Sequence, residues 1–250
     1  MSTLVPIWAR PRPPARRPRF SRDQIAAAAV SLADAEGLDA VSMRRVAERL
    51  GAGTMSLYHY VRTKADLLAL MDDAVMAEVV LGEVDLSHGW REAVTAIARG
   101  TRKTLVRHPW ALAYLGDAQL GPNAMRHFEE WLTALSGTRL DGVRRLEVLA
   151  IVNAFVFGNV ILTIESLQRG ALAREHPEAV AEVTAFGLEQ LRTGAYPRTV
   201  ALFGDHDPAE QPGPPLDEQG LDDLFERGLS AVLEGLALAY GLPAHVVPDA

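Results

Sequence analysis

The sequence predicts an all-α fold, with three short helices near the N-terminus and a larger helical bundle after them. Apolar residues recur at helical spacing through most of the 250 residues, which is the periodicity of amphipathic helices. No segment alternates polar and apolar residues over more than a few positions, so strands are not expected. Glycine, proline and aspartate separate the periodic segments and indicate where helices begin and end.

Charge divides the chain into a basic N-terminal part and an acidic remainder. Residues 1–64 hold 11 Lys/Arg against 5 Asp/Glu, a net +6, whereas residues 65–250 hold the other 14 and 27, a net −13. Such a division is typical of a basic binding module on an acidic body. The chain has no cysteine, which excludes disulfides, thiolate zinc sites and cysteine nucleophiles and fits a cytoplasmic protein.

Capping signals place the first two helices. Ser21, with Gln24 three residues later, forms a capping box, and Gly37 ends the apolar run that follows. The second helix begins at Ser42 and stops at Gly51. Residues 1–20 ahead of them are rich in proline and arginine and predict a disordered or extended arm rather than a secretory signal.

The third helix is expected over residues 54–61 and the fourth from Thr63, capped by Asp66. On the third helix Leu57 and Val61 share one face and can join a small core, which leaves the polar and aromatic side chains outside. Three short helices with a tight turn before the third describe a helix-turn-helix unit, which reads the major groove of DNA. Its helix N-terminus would favour a nearby phosphate.

The segment SMRRVAERLGAGTMSLYHYVRTKADLL, residues 42–68, resembles the DNA-binding signature of the TetR family of bacterial regulators. The resemblance covers residues 21–72 and implies a ligand-responsive transcriptional regulator. It places base-reading contacts at Arg44, Thr54, Met55, Ser56 and Tyr58. It places phosphate contacts at His59, Tyr60 and Lys64. Because residues near Gly53 and Met55 depart from the family's usual pattern, the operator sequence does not carry over.

Beyond residue 85, helical segments are expected near 88–107, 109–116, 122–136, 141–169, 177–192 and 219–240, with a loop and at most one helical turn over 193–218. Residues 148–164 are almost entirely apolar, so the helix must be covered on all sides. A four-helix dimer interface with the last helix is one cover; a monomeric core and a membrane span are the alternatives. The interface prediction comprises Val156, Val160, Leu229, Leu233 and Leu236.

The later segments are similar to the tetracycline-repressor subgroup, whose C-terminal domain dimerises and binds a small effector. Alignment on Trp90 and His108 places Ile97, Thr101 and Leu115 at the subgroup's drug positions. Two of these are apolar, so a magnesium–tetracycline effector is not expected and an apolar or aromatic ligand is favoured. Further pocket candidates from residue chemistry, each with core packing as the alternative, are Trp110, Tyr114, Phe128, Trp131, Asn153 and Phe157.

Three further features have ordinary interpretations. His127 and Glu130 have the spacing of a shared metal site, but we expect a solvated pair. His108 is expected to end its helix, and the acidic and histidine residues at 205–207 to be solvated. The arginine-rich arm either enters the minor groove or is a loosely electrostatic tail.

The sequence therefore predicts an arm (1–20), a DNA-binding domain (21–66) and an effector-binding and dimerisation domain (67–250). We expect a homodimeric repressor released from a palindromic operator by a small effector, with no cofactor, metal or membrane partner. The sequence has no nucleophile elbow, phosphate-binding glycine loop or H-E-x-x-H motif, so an enzyme is not expected. The remaining alternative is an architectural or activating DNA-binding protein without an effector.

Overall fold

A computed structural model of the chain describes residues 6–10, 20–82, 89–114, 121–202 and 217–243. These residues form helices and no strand, which confirms the all-α prediction for this part of the chain. Three short 3-10 helices, Ile7–Ala9, Leu38–Ala40 and Pro109–Tyr114, accompany the α-helices. The α-helices are α1 Arg22–Glu36, α2 Met43–Arg49, α3 Thr54–Leu57, α4 Lys64–Val79, α5 Trp90–Arg107, α6 Pro122–Ala134, α7 Gly142–Glu175, α8 Pro177–Arg192, α9 Pro197–Ala201 and α10 Glu218–Tyr240.

The predicted capping boxes hold the ends of α1 and α4. The Ser21 hydroxyl accepts a hydrogen bond from the Gln24 backbone N–H, and the Gln24 side chain accepts one from the Ser21 N–H. Thr63 and Asp66 make the same reciprocal pair at α4. Because each pair satisfies two backbone groups that the helix leaves free, the beginnings of α1 and α4 are fixed by local sequence.

We refer to α1, α2 and α3 together as the head. Its core contains Ile25, Val46, Leu57 and Val61, each with 0% of its surface exposed. The third helix is shorter than predicted, because it ends at Leu57 instead of Val61. Residues 58–60 form turns that bring the chain into the extended conformation in which Thr63 caps α4. Val61 nevertheless lies in the core, as its spacing from Leu57 predicts.

Residues 6–10 pack against the head, so the prediction of a disordered arm is wrong for this part of the N-terminus. Ile7 is fully buried in the same apolar cluster as the helices of the head. The Arg22 guanidinium donates to the Ile7 carbonyl at 2.9 Å, and the Arg10 guanidinium pairs with Asp66 at 2.8 Å. Burial of Ile7 and the two arginine contacts therefore order a segment whose composition indicated disorder. Residues 11–19 lie outside the described part.

Asp66 joins the N-terminal segment to the start of α4. Burial alone would raise its pKa, but the hydrogen bond and charge of Arg10, with the Arg62 N–H and the Thr63 side chain, lower the pKa below its ordinary value. Asp66 therefore stays ionised near neutral pH and serves as both a helix cap and an ion-pair partner.

Helix α4 packs against α1 of the head and against α5 and α6, the first helices of the bundle that follows. Helix α6 is held to α4 near each of its own ends. At the start of α6, Asp73 accepts hydrogen bonds from the backbone N–H of Asn123 at 2.8 Å and of Ala124 at 3.2 Å. At the far end, Glu130 Oε1 accepts from the N–H of Leu81 at 2.8 Å, two residues beyond the last residue of α4. Helices α4 and α6 are therefore held in one register.

Gly121 allows the first of these fastenings. A Cβ at this position would collide with the Asp73 carboxylate. Since the carboxylate must reach the first backbone N–H groups of α6, the position just before the helix has to lack a side chain.

The chain divides into two compact units, residues 1–157 with 232–250, and residues 158–231. The predicted domain boundary at residue 66 falls inside the first unit. The reason is that α4 packs against α1 and also against α5 and α6, so the head and the first part of the bundle share one helix.

Helix α7 is longer than the predicted 141–169 and has two different faces. Val148 and Val152 are fully buried, whereas Ile151 and Ile161 are 42% and 47% exposed. Among the described residues, α7 is the one helix whose length and composition would suffice to cross a membrane. That is weak evidence, since core helices of soluble proteins have the same properties. In the predicted 193–218 loop the structure has α9, and residues 203–216, with the solvated group at 205–207, lie outside the described part.

Candidate DNA-binding surface and effector-binding core

The turn between α2 and α3 sets the direction of α3. Gly51 has φ 62°, a left-handed conformation that residues with a Cβ rarely adopt. The Ala52 N–H then donates to the Ala47 carbonyl at 2.9 Å, which folds the chain back tightly after α2. The left-handed backbone conformation therefore requires glycine at position 51, and the tight turn there changes the chain direction between α2 and α3.

Four of the five predicted base-reading residues, all except Arg44, lie on α3 or directly after it. Met55 is 76% exposed and Tyr58 is 42% exposed, while Thr54 and Ser56 are half-buried. Leu57 between them is buried in the core. One side of the helix therefore packs inward, and the other is exposed. With four residues, α3 aligns few peptide dipoles, and the attraction of its N-terminus for phosphate is weaker than expected. Side chains, more than backbone groups, are therefore what this surface offers to a ligand.

The predicted phosphate contacts flank this surface. His59 and Lys64 are exposed, and Tyr60 is half-buried because its ring packs against the core of the head. Arg44 on α2 pairs with Glu48 at 2.9 Å, with 80% and 59% of the two side chains exposed. A pair exposed to this degree contributes little to stability, so the Arg44 guanidinium is available to DNA at small cost.

The predicted ligand residues are distributed over several helices. Ile97 and Thr101 are buried on α5, and the Thr101 hydroxyl donates to the Ile97 carbonyl at 2.9 Å. Trp131 on α6 is 1% exposed, whereas Phe128 is 36% exposed. Asn153 and Phe157 on α7 are half-buried. The Tyr114 side chain and Leu115 lie outside the described part.

Trp110 packs in a core, which was the alternative to a place in the effector pocket. Its indole N–H donates to Asp34 Oδ1 on α1 at 2.7 Å, and its ring packs against the core of the head. It therefore joins the 3-10 helix after α5 to the head. Sequence could not show this, because the two partners are 76 positions apart.

His127 and Glu130 form a buried pair, so the prediction of a solvated pair is wrong. Their side chains are only 13% and 12% exposed, and His127 Nδ1 lies 3.5 Å from Glu130 Oε2. Burial lowers the pKa of His127 to about 4. Burial also raises the pKa of Glu130, although the N–H groups of Leu81 and Gly82 oppose this shift.

The protonation of this pair follows from Trp131. Its indole N–H, which can only donate, is 3.2 Å from His127 Nε2, so the neutral imidazole carries its hydrogen on Nδ1. A donor N–H therefore faces a carboxylate oxygen, and neither atom has a hydrogen-bond partner. The i, i+3, i+4 spacing of the three residues was the signal in the sequence.

Asp72 is another buried acid that the sequence prediction missed. It is 7% exposed, and burial together with the charge of Asp73 raises its pKa to about 6. Its Oδ2 atom is buried without a hydrogen-bond partner. Within the described ranges, no three His, Asp or Glu side chains converge as a metal site.

The predicted dimer contacts need correction, because all five side chains are buried within a single chain. Their exposure ranges from 0% to 4% for Val156, Val160, Leu229, Leu233 and Leu236. The spacing correctly identified the apolar stripes of α7 and α10. However, we predicted that the inner stripe contacts the second subunit, whereas it packs within its own chain. The apolar residues that reach the surface of these helices include Ile151, Ile161 and Leu238.

A helix-turn-helix head with exposed polar and aromatic tips, joined through α4 to a helical bundle, defines a DNA-binding regulator. Two family profiles match: the bacterial regulatory proteins of the tetR family over residues 25–71, and the tetracyclin repressor-like C-terminal domain over residues 85–240. The chain belongs to the TetR family of transcriptional regulators. It is a regulator and not an enzyme, as the sequence predicted.

Relatives and solved structures agree with this assignment. The chain is 35% identical to the HTH-type transcriptional repressor DrrR1 of Streptomyces coeruleorubidus, over 94% of this chain and 84% of that protein. It is also 35% identical to an HTH-type transcriptional regulator of Saccharopolyspora erythraea, over 94% and 93%. The crystal structure of the Streptomyces coelicolor TetR family protein ActR in complex with actinorhodin has a TM-score of 0.68 and 29% identity, and the match covers 90% of this chain and 98% of ActR.

Proposed function

We propose that the protein is a ligand-responsive repressor that binds a palindromic operator as a homodimer in the cytoplasm. The observation that carries the proposal is that α3 and the turn after it have a buried side and an exposed side. Leu57 and Val61 are fully buried, while Met55 and Tyr58 are exposed. Such a surface has side chains free for DNA and a rigid core behind them. The repressor name of the Streptomyces coeruleorubidus relative supports the sign of regulation.

The second copy of the chain covers the outer faces of α7 and α10. On α7, the exposed apolar residues Ile151 and Ile161 flank Ala154 and Gly158, which are small and exposed. On α10, Leu238 is 88% exposed. Apolar faces on two long helices are unusual for the surface of a monomer, and small residues allow close approach of a partner helix. A two-fold pair of heads also matches a palindromic operator.

A small, fairly apolar or aromatic effector binds the bundle, within the domain proposed for residues 67–250. Ile97 and Trp131 supply apolar surface on α5 and α6. The His127 N–H and the Glu130 carboxylate beside it suit an effector hydroxyl, because that group accepts and donates one hydrogen bond each. The structure of ActR in complex with actinorhodin supports a small-molecule effector for a protein of this fold.

Helix α4 transmits the effector signal to DNA. Residues 58–63 connect it to the head, and its Asp73 and the residues after its end hold α6. An effector that binds better to one spacing of the two heads shifts the population toward that spacing. A hundredfold loss of operator occupancy requires a coupling of about 2.7 kcal/mol.

Selection of bound genomic fragments by the purified protein tests the proposal. We expect enrichment of an inverted repeat whose half-sites are about one or more helical turns apart. An architectural or activating protein without an effector is the second candidate. Uniform protection of random fragments would favour the architectural candidate and contradict ours.

Tyr58→Ala provides the matched test on the selected operator. We expect a loss of ~1–3 kcal/mol of binding free energy, since an exposed side chain at the groove is removed. Tyr196→Ala is the control, because Tyr196 is also about half exposed, at 46%, but lies outside the head. Fluorescence anisotropy of labelled operator measures both, and equal affinity of the two variants would remove Tyr58 from the interface.

A further inference from the structure

His108 lies at a junction of three helices, where two carboxylates converge on its ring. The residue follows α5 directly and is 3% exposed. Its Nδ1 is 2.7 Å from Asp34 Oδ1 on α1, and its Nε2 is 3.3 Å from Glu78 Oε2 in the last turn of α4. The ring therefore touches the head, the connecting helix and the bundle at once.

Neighbouring donors hold both carboxylates in place. The Trp110 indole N–H donates to the same Asp34 oxygen at 2.7 Å, and the Arg107 guanidinium donates to the same Glu78 oxygen at 2.8 Å. The rings of His108 and Trp110 meet edge to face, with centroids 6.1 Å apart. Asp34, Glu78, Arg107 and His108 are the charged or titratable groups of this junction.

The two nitrogens of the ring face carboxylates on different helices. Ionised carboxylates only accept hydrogen bonds, so an N–H of the ring is the group that can satisfy each contact. The ring thereby connects Asp34 on α1 with Glu78 on α4. A side chain with a single donor atom could make only one of these contacts.

We propose that His108 is a positioning residue whose contacts with Asp34 and Glu78 fix the orientation of the head on the bundle and thereby raise the affinity for the operator. Apolar packing between α1, α4 and the 3-10 helix is non-directional and allows one surface to slide on the other. Charge-assisted hydrogen bonds have a fixed geometry and select one arrangement. The proposal rests on the proposed DNA-binding function and adds a contact that does not pass through the chain connection at α4.

A head held in one orientation binds DNA with less loss of conformational freedom. We therefore expect His108→Gln to weaken binding of the selected operator by roughly 5- to 50-fold, within the usual size of coupling between sites. The amide has one donor nitrogen, so it cannot donate to carboxylates on two sides as the ring can. Binding of random duplex DNA at low salt should not change, since it does not need the heads in register.

A comparison of two DNA substrates separates positioning from a merely structural role. A damaged head would bind both the operator and random duplex DNA less well, whereas a head that is only less well oriented should lose affinity for the operator alone. His176→Gln, at an exposed position on the second unit, is the matched control. His108→Gln with wild-type operator affinity would overturn the proposal, and so would an equal loss on both substrates.

A double-mutant cycle tests the junction without DNA. Asp34 and His108 in contact should give non-additive shifts in thermal unfolding for Asp34→Asn, His108→Gln and the double variant. The Asp34 side chain is 33% exposed, so its variant should fold even if the histidine variant does not. Additive shifts would overturn the junction whatever the DNA result. Failure to select any operator, with a non-additive cycle, would contradict the proposed function instead.

Discussion

In the head, the Tyr58 side chain is exposed while Leu57 beside it is buried, whereas the polar groups of Asp72 on α4 and of His127 and Glu130 on α6 are buried. The polar and aromatic groups predicted to contact DNA are thus at the surface of the head. On α4 and α6, by contrast, Asp72 Oδ2, His127 Nδ1 and Glu130 Oε2 are buried without a hydrogen-bond partner. The difference matches two kinds of ligand, because DNA is met at a surface and a small effector is enclosed.

The largest expected effect distinguishes the inner from the outer stripe of the long helices. Leu233→Asp places a charge where the side chain is 2% exposed, and Ile161→Asp where it is 47% exposed. We expect Leu233→Asp to unfold the chain, at a cost above about 4 kcal/mol, and Ile161→Asp to yield folded monomers. Sedimentation velocity and circular dichroism measure both. A folded, dimeric Ile161→Asp variant would remove α7 from the proposed interface.

Next in size is a contrast within α3. Leu57→Ala should cost ~2–5 kcal/mol of unfolding free energy, because a fully buried side chain is removed from the core of the head. Met55→Ala, at 76% exposure, should change it by less than about 0.5 kcal/mol. Urea denaturation measures both variants. Similar losses would show that the head is not divided into an inner and an outer side.

Two adjacent acids on α4 should respond in opposite directions. The folded-state pKa of Asp72 is raised to about 6, so the native state holds a proton that the unfolded chain releases above about pH 4. Its contribution to stability is therefore largest below that pH and is lost as pH rises through about 6. Asp72→Asn should stabilise the fold by roughly 1–3 kcal/mol at pH 7 and have almost no effect near pH 4.

Asp73→Asn is the matched comparison, since Asp73 accepts hydrogen bonds from the first N–H groups of α6. We expect a loss of ~1–3 kcal/mol at pH 7. Thermal unfolding at the two pH values measures both variants. A destabilised Asp72→Asn variant at pH 7 would mean that the Asp72 charge has a partner.

The smallest effect concerns the arginines at 12, 16, 17 and 19, which lie outside the described residues. Replacing them with serine should lower the slope of log affinity against log salt by ~0.9 for each DNA phosphate that an arginine neutralises in the wild-type complex. Deletion of residues 1–18 is a poorer test, because it also removes the buried Ile7 and the Arg10–Asp66 ion pair. An unchanged slope would leave the arm outside the DNA interface.

The head could be predicted well because its signals are local. Ser21 with Gln24 and Thr63 with Asp66 cap across three positions, and Leu57 and Val61 are one helical turn apart. The bundle was predicted less well, because Trp110 meets Asp34 and Glu130 meets Leu81 across long stretches of chain. Periodicity showed that α7 and α10 carry apolar residues on more than one side. It could not show which side faces inward, since the inner and the outer sides are both apolar.

Because α6 is tied to α4 near Asn123 and again near Glu130, the two helices cannot drift apart at one end alone. They should move together as a stiff lever. A genetic screen for variants that still silence a reporter but ignore the inducer should therefore return changes at the first tie, such as Gly121 and Asn123, more often than on the exposed middle of α6.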